Sequence, residues 1–281
     1  MNEKINEVTT LVGDDGAGFL TFEPLKKFDW IVQGFSTKLG GVSKGDYEGL
    51  NLGFNRGDDN ENVKTNWKML GNAAGFHVDQ VVFPKQMHTN NLRVVGTREW
   101  SLGKMPDCPK PIDGQVTDAP GTILVSYGAD CPTIYLIDDT NHAIGLCHSG
   151  WKGTLNSISV DAVRLMTETF STIPSQLTAL IGPSICRDNY EVSADVAWLF
   201  IKKHDITVSH DSAIVSEGKM DGKFQLDLWE ANRANLLEAG LLPENIYVSG
   251  VCTFNEERLC YSHRRTGDAR GAMVGFLGIK D

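Results

Sequence analysis

Residues 124–153 read LVSYGADCPTIYLIDDTNHAIGLCHSGWKG, with two apolar runs, 133–137 and 143–146, separated by Asp138-Asp139-Thr140-Asn141. Short apolar runs bounded by turn formers predict two buried strands in a hairpin. Ala129-Asp130-Cys131 stands just before the first strand, and His148 closes the second. In an antiparallel pair, the start of one strand and the end of its neighbour share an edge of the sheet. A thiol and an imidazole are thereby brought within reach of each other. Cys147 points to the opposite face of its strand and belongs to the core. Asp130 is a candidate general acid or base, with a turn-bonding carboxylate as the plainer reading. Gly150 to Gly153 predicts a tight turn, and Leu155, Ile158, Ala162 and Leu165 then recur at helical spacing, giving a helix from Thr154 to about Phe170. The free N–H groups at its start suit an anion such as phosphate.

Upstream, the apolar run 81–83 leads into Pro84-Lys85-Gln86-Met87-His88, with Thr89-Asn90-Asn91 after it. His88 is a third group at a strand end. Two histidines and one cysteine suit a catalytic zinc, which takes three protein ligands and leaves a fourth position open. The three lie far apart in sequence and make no compact metal motif. The same residues also allow cysteine hydrolase chemistry, with Cys131 as nucleophile and His148 as its base.

The 281 residues are 41% hydrophobic and 22% charged, an ordinary globular composition. No stretch approaches the ~20 apolar residues that span a bilayer. The N-terminus carries acidic residues and no apolar core, so it does not read as a secretory signal. Six cysteines without CxxC or framework spacing read as reduced thiols in a cytoplasmic protein. A net charge of −10 argues against nucleic-acid partners. There is no repeat, linker or composition step, so residues 1–281 are expected to form a single α+β domain, a monomer, with residues 1–15 frayed.

Residues 19–22 and 30–33 predict an edge hairpin, and residues 35–43 a Gly-rich loop. Asp59 or Asn60 caps a helix over about 61–71. Residues 101–111 read as an exposed loop. Ser193 caps a helix to Lys203, and Asp227 caps one that stops at Gly240. Residues 205–223 read as polar and irregular. Residues 113–117, 123–127, 177–181, 246–251 and 273–279 read as strands. Arg264 and Arg265 are either a surface pair or bidentate holders of phosphate, and Arg270 has the same two readings.

Residues 124–138, 143–158, 181–192, 224–241 (FQLDLWEANRANLLEAGL) and 252–271 (CTFNEERLCYSHRRTGDARG) together resemble the YfiH/YlmD family. It is also called the laccase-domain or polyphenol oxidase family, and its members purine nucleoside phosphorylase or peptidoglycan editing factor. FSTKLGGVSKGDYEGLNLGFNRGDD (35–59) and FPKQMHTNNLRVV (83–95) fit as well, so the likeness runs from about residue 30 onward. It implies a four-layer α/β/β/α fold with mixed sheets, similar to the catalytic domain of cytotoxic necrotizing factor. It implies Zn2+, with copper second to it, on His88 of the Gln-x-His motif, on Cys131 and on His148. It also implies substrate or phosphate contacts at Asn51, Gln86, Arg264 and Arg265. Relatives often carry Arg where this chain has Lys38, which keeps the charge but loses the planar fork. The implied activity is phosphorolysis of adenosine, inosine and guanosine, with adenosine deamination and methylthioadenosine phosphorolysis beside it. The alternatives are a cysteine hydrolase or peptidoglycan-precursor editing factor and, behind those, a copper-dependent polyphenol oxidase.

Overall fold

The computed structural model describes residues 1–14, 16–54, 56–96, 110–209 and 212–281. The expected loop at 101–111 lies mostly outside the described residues. The first sheet is built from β1 (Asn2–Lys4), β2 (Thr9–Gly13), β3 (Ala17–Phe22), β4 (Ile31–Gly40), β5 (Val81–Val82), β8 (Ile123–Gly128) and β16 (Met273–Ile279). Their order is β1-β2-β3-β4-β16-β8-β5. The second is built from β6 (Leu92–Val94), β7 (Gly114–Thr117), β9 (Thr133–Asp138), β10 (Ala143–His148), β11 (Thr178–Ile181) and β15 (Ile246–Val248), in the order β15-β11-β9-β10-β7-β6. Both are mixed: β5–β8, β11–β15 and β6–β7 are parallel pairs among antiparallel ones. A small antiparallel sheet holds β12 (Glu191–Ser193), β14 (Lys223–Leu226) and β13 (Val215–Glu217). The helices are α1 (Asn60–Ala74), α2 (Trp151–Leu155), α3 (Ile158–Phe170), α4 (Ala194–His204), α5 (Leu228–Glu238) and α6 (His263–Thr266). This is a mixed α/β fold. No helix among the described residues is long and apolar enough to cross a membrane.

Strand alternation decides what meets what. Along β9, Tyr135 and Ile137 join Ile144 and Leu146 of β10, and Leu124 and Leu277 of the first sheet, in one apolar cluster. Tyr135 also donates its hydroxyl to the Gly34 carbonyl at 2.8 Å, tying the second sheet to the first. The other face of β9 sends Ile134 and Leu136, with Cys147, against Ala162, Val163 and Met166 of α3 and Leu236 of α5. On the first sheet, Val125, Val274 and Phe276 pack with Val63, Trp67 and Leu70 of α1. Strands covered on both faces read as unbroken apolar runs, as β9 and β10 do. Asp59 caps α1 by accepting the Glu61 N–H at 2.9 Å, and Gly75 ends it at φ 80°.

Several expectations are corrected. Residues 35–40 are strand, not loop; the turn comes at Gly40 and Gly41, φ +82° and +75°, where a Cβ on Gly41 would strike the Gly49 carbonyl. The stretch read as frayed contains β1 and β2, paired in register. The helix after His148 begins at Trp151, is interrupted at Ser157 with φ 60°, and resumes as α3. Polar residues 205–223 hide β13 and the start of β14, whose short strands give too little alternation to read. The hairpin itself forms as expected, with His148 opposite Thr133.

Candidate metal centre and active site

The ligand atoms of His88, Cys131 and His148 all lie within 4.8 Å of one another. His148 ends β10, and Cys131 sits in the turn before β9. His88 comes from the loop after β5, held at φ 59°. Its Nε2 is 3.9 Å from Cys131 Sγ, and the two imidazole centroids are 4.8 Å apart, edge to face. Gly150 passes over the cluster. A Cβ there would stand 2.9 Å from Cys131 Sγ and 3.1 Å from His88 Cδ2, so a side chain at that position would press on the thiol.

One carboxylate organises the set. Asp113 immediately precedes β7, and Cys147 pairs with Gly114 across the β7–β10 ladder, so register sets Asp113 beside His148. Its Oδ1 lies 2.9 Å from His148 Nδ1 and accepts the His88 N–H at 3.0 Å. Its Oδ2 accepts the Met87 and Thr89 N–H groups and the Thr89 hydroxyl, at 3.2, 2.8 and 2.7 Å. With Nδ1 bonded to the carboxylate, His148 presents Nε2 to the cluster, the carboxylate–histidine arrangement that orients metal ligands. Burial pushes Asp113 up, but the His148 and Thr89 hydrogen bonds outweigh it and hold it down at about 2. Burial pushes His148 down, and Asp113 and Cys131 raise it to about 9. Burial pushes the Cys131 thiol up, and hydrogen bonding to His148 and His88 brings it down to about 6. The sulfur therefore has thiolate character, the form that binds a soft divalent ion or attacks a carbonyl.

The cluster opens on a cavity of about 200 Å3, whose walls include Phe54, Arg56, Gln86, Tyr127 and Arg270. Gln86 is anchored, donating to the Tyr127 carbonyl at 3.0 Å and accepting its N–H at 2.6 Å. Asn51 stands behind the wall. Buried, it accepts the N–H groups of Gly53 and Ala272 at 3.0 and 2.9 Å and donates to Asp58. Asp130, at φ 93°, is next to Cys131, but its carboxylate faces away and accepts from Thr253, Ser262 and the Arg264 N–H at 2.7, 3.0 and 2.7 Å. Three donors therefore fix that carboxylate in place.

Of the residues expected to contact substrate or phosphate, Gln86 lines this cavity, whereas Lys38, Arg264 and Arg265 are not among its lining residues. Lys38 lines a separate groove with Gly40, Gly41 and Lys44. Arg264 donates to the Glu191 carbonyl at 2.9 Å and lies over the Tyr190 ring. Arg265 is turned to the carbonyls of Thr253, Phe254 and Cys260. The helix start at Trp151 belongs to a helix of only five residues. Asp113, Arg56 and Tyr127 were missed. Nothing marks a lone Asp at the start of a strand as a histidine's partner until the β7–β10 register is known.

Residues 32–280 match the family described as multi-copper polyphenol oxidoreductase laccase. Purine nucleoside phosphorylase YlmD of Bacillus subtilis is 35% identical over 253 residues, 89% of each chain. Adenosine deaminase RL5, from an unknown prokaryotic organism, is 33% identical over 263 residues, covering 91% of this chain and 98% of that one. The crystal structure of YlmD from Geobacillus stearothermophilus superposes with a TM-score of 0.84 at 33% identity, covering 96% of this chain and 99% of that one.

Proposed function

The chain belongs to the multi-copper polyphenol oxidoreductase laccase family, and we propose that it is a zinc-dependent purine nucleoside phosphorylase acting on adenosine, inosine and guanosine. Adenosine deamination and methylthioadenosine phosphorolysis are proposed as side activities. The observation that carries this reading is the His88–Cys131–His148 cluster, braced by Asp113, at a cavity walled by Phe54 and Tyr127. The relatives' names supply the reaction class. In phosphorolysis a phosphate oxygen bonds to C1′ of the ribose as the C1′–N9 bond breaks, and the leaving base takes up a proton. Aromatic walls can hold a purine face, and the anchored Gln86–Tyr127 pair fixes one side of the cavity. Two imidazoles and a thiolate are a donor set for zinc with an open fourth position, and zinc bound there would supply Lewis-acid chemistry.

A second reading has its own observation. Cys131, His148 and Asp113 are arranged as nucleophile, base and orienting carboxylate. That favours a cysteine hydrolase, with a peptidoglycan precursor as substrate. Copper-dependent polyphenol oxidation ranks behind both, because multicopper chemistry needs more ligands than the one His/Cys cluster among the described residues. The three apolar clusters support reading the layers as α/β/β/α, akin to the catalytic domain of cytotoxic necrotizing factor. We further propose one cytoplasmic domain acting as a monomer.

The test is metal analysis of the purified protein beside an inosine-plus-phosphate assay, with Cys131→Ala and His148→Ala as variants. Near-stoichiometric zinc and phosphate-dependent hypoxanthine release, both lost in the variants, are expected. Metal-free protein with a reactive Cys131 and no base release would establish the hydrolase instead.

A further inference from the structure

We infer that Arg56 and Arg270 form the oxyanion clamp that takes inorganic phosphate in this cavity, in place of Arg264 and Arg265. The inference rests on the phosphorylase reading for its ligand, but on the cavity's own geometry for its residues. Both guanidinium-bearing side chains line the cavity that holds His88, Cys131 and His148. No carboxylate is among its lining residues. Arg270 Nε is buried with no hydrogen-bond partner, and among the described residues the guanidinium's one hydrogen bond is Nη1 to the Gly271 carbonyl at 3.1 Å. An unpartnered buried donor is costly unless a ligand accepts from it.

Arg56 makes no ion pair or side-chain hydrogen bond among the described residues. Its side chain lies along the wall over Gly53, where a Cβ would stand 2.9 Å from Arg56 Cδ. Tyr47 holds the segment from outside by donating to the Arg56 carbonyl at 2.5 Å. The charges that act on Arg270 are Arg56, repulsive, and Asp130, Cys131 and Asp268, attractive. Of these, Asp130 already accepts three hydrogen bonds from Thr253, Ser262 and Arg264. Two cations facing one small cavity are stabilised by an anion placed between them. Forked guanidinium donors match the oxygens of phosphate bidentately. Arg264 and Arg265, by contrast, already donate to backbone carbonyls and are not among the cavity's lining residues.

The experiment is calorimetric titration of the zinc-loaded protein with inorganic phosphate, without nucleoside, for wild type, Arg56→Gln, Arg270→Gln, Arg270→Lys and Arg264→Gln. Melting temperatures without phosphate verify folding, and exposed Arg56 keeps the test valid if Arg270→Gln fails to fold. Binding weakened by about tenfold or more in Arg56→Gln and Arg270→Gln, intermediate in Arg270→Lys and unchanged in Arg264→Gln, is expected. The phosphate KM should rise in the first two while the inosine KM holds. Phosphate binding unchanged in Arg56→Gln, lost in Arg264→Gln, or absent from wild type overturns the clamp. Clamp-dependent phosphate binding without base release would leave the clamp standing and remove the phosphorylase reading. Phosphate-dependent base release with an unaltered phosphate KM in Arg56→Gln would do the reverse.

Discussion

Asp113 is the residue through which both histidines are set, since it accepts from the His148 ring and from the backbone of His88 and its neighbours. Asp113→Asn keeps the shape but replaces one acceptor with a donor. The expected result is a zinc affinity about 10–100-fold lower in chelator competition, with the fold retained by circular dichroism. Unchanged affinity would mean that the strand ends alone position the ligands. His88, Cys131 and His148 were legible in the sequence because each ends or begins an apolar run. Asp113 was not, because it reads as the first residue of a strand, and its meaning comes from a cross-strand partner. Paired arginines suggest phosphate, and what the sequence does not show is that three backbone carbonyls accept from Arg265.

At the scale of elements, α1 shows how well local chemistry can be read. An Asp cap and a terminal Gly bound an amphipathic run, and the structure extends that expectation only slightly. Its anchor is Trp67, fully buried, edge to face on Phe83 at 5.1 Å, with Nε1 donating to the Leu52 carbonyl at 3.0 Å. Trp67→Ala should lower the unfolding free energy by about 3–5 kcal/mol in urea melts; a loss below about 1 kcal/mol would show that the surroundings collapse into the space. The break between α2 and α3 was not legible. Ser157 takes a left-handed conformation that any helical-spacing count passes over, and Lys203 Nζ donates to its hydroxyl at 2.6 Å from another helix. The three-stranded sheet was missed because its partner strands are short and separated in sequence by α4.

For the whole molecule, the cluster gathers segments from both large sheets. His88 follows β5 of one, Cys131 lies where the chain passes from β8 to β9, and His148 ends β10 of the other. An ion bound there ties the sheets together. Zinc returned to chelator-stripped protein at about a hundred times its Kd should stabilise the fold by about 2.7 kcal/mol, seen as a higher melting temperature. Equal melting with and without zinc would argue that no ion binds the native cluster. The mixed α/β character was readable from apolar runs, but which sheet each strand joins was not, because pairings between distant strands leave no local mark.

β16 lies between β4 and β8 in the middle of the seven-stranded sheet, paired to both. Those neighbours are made long before it. Until residues 273–279 take their place, the facing edges of β4 and β8 have no strand between them. Closing them pairs β16 with β4, more than two hundred residues away in the chain, and with the much nearer β8, a slow topology with high contact order. Unpaired strand edges of that kind are open to mispairing with one another. A variant lacking residues 273–279 would therefore leave the facing edges of β4 and β8 unjoined.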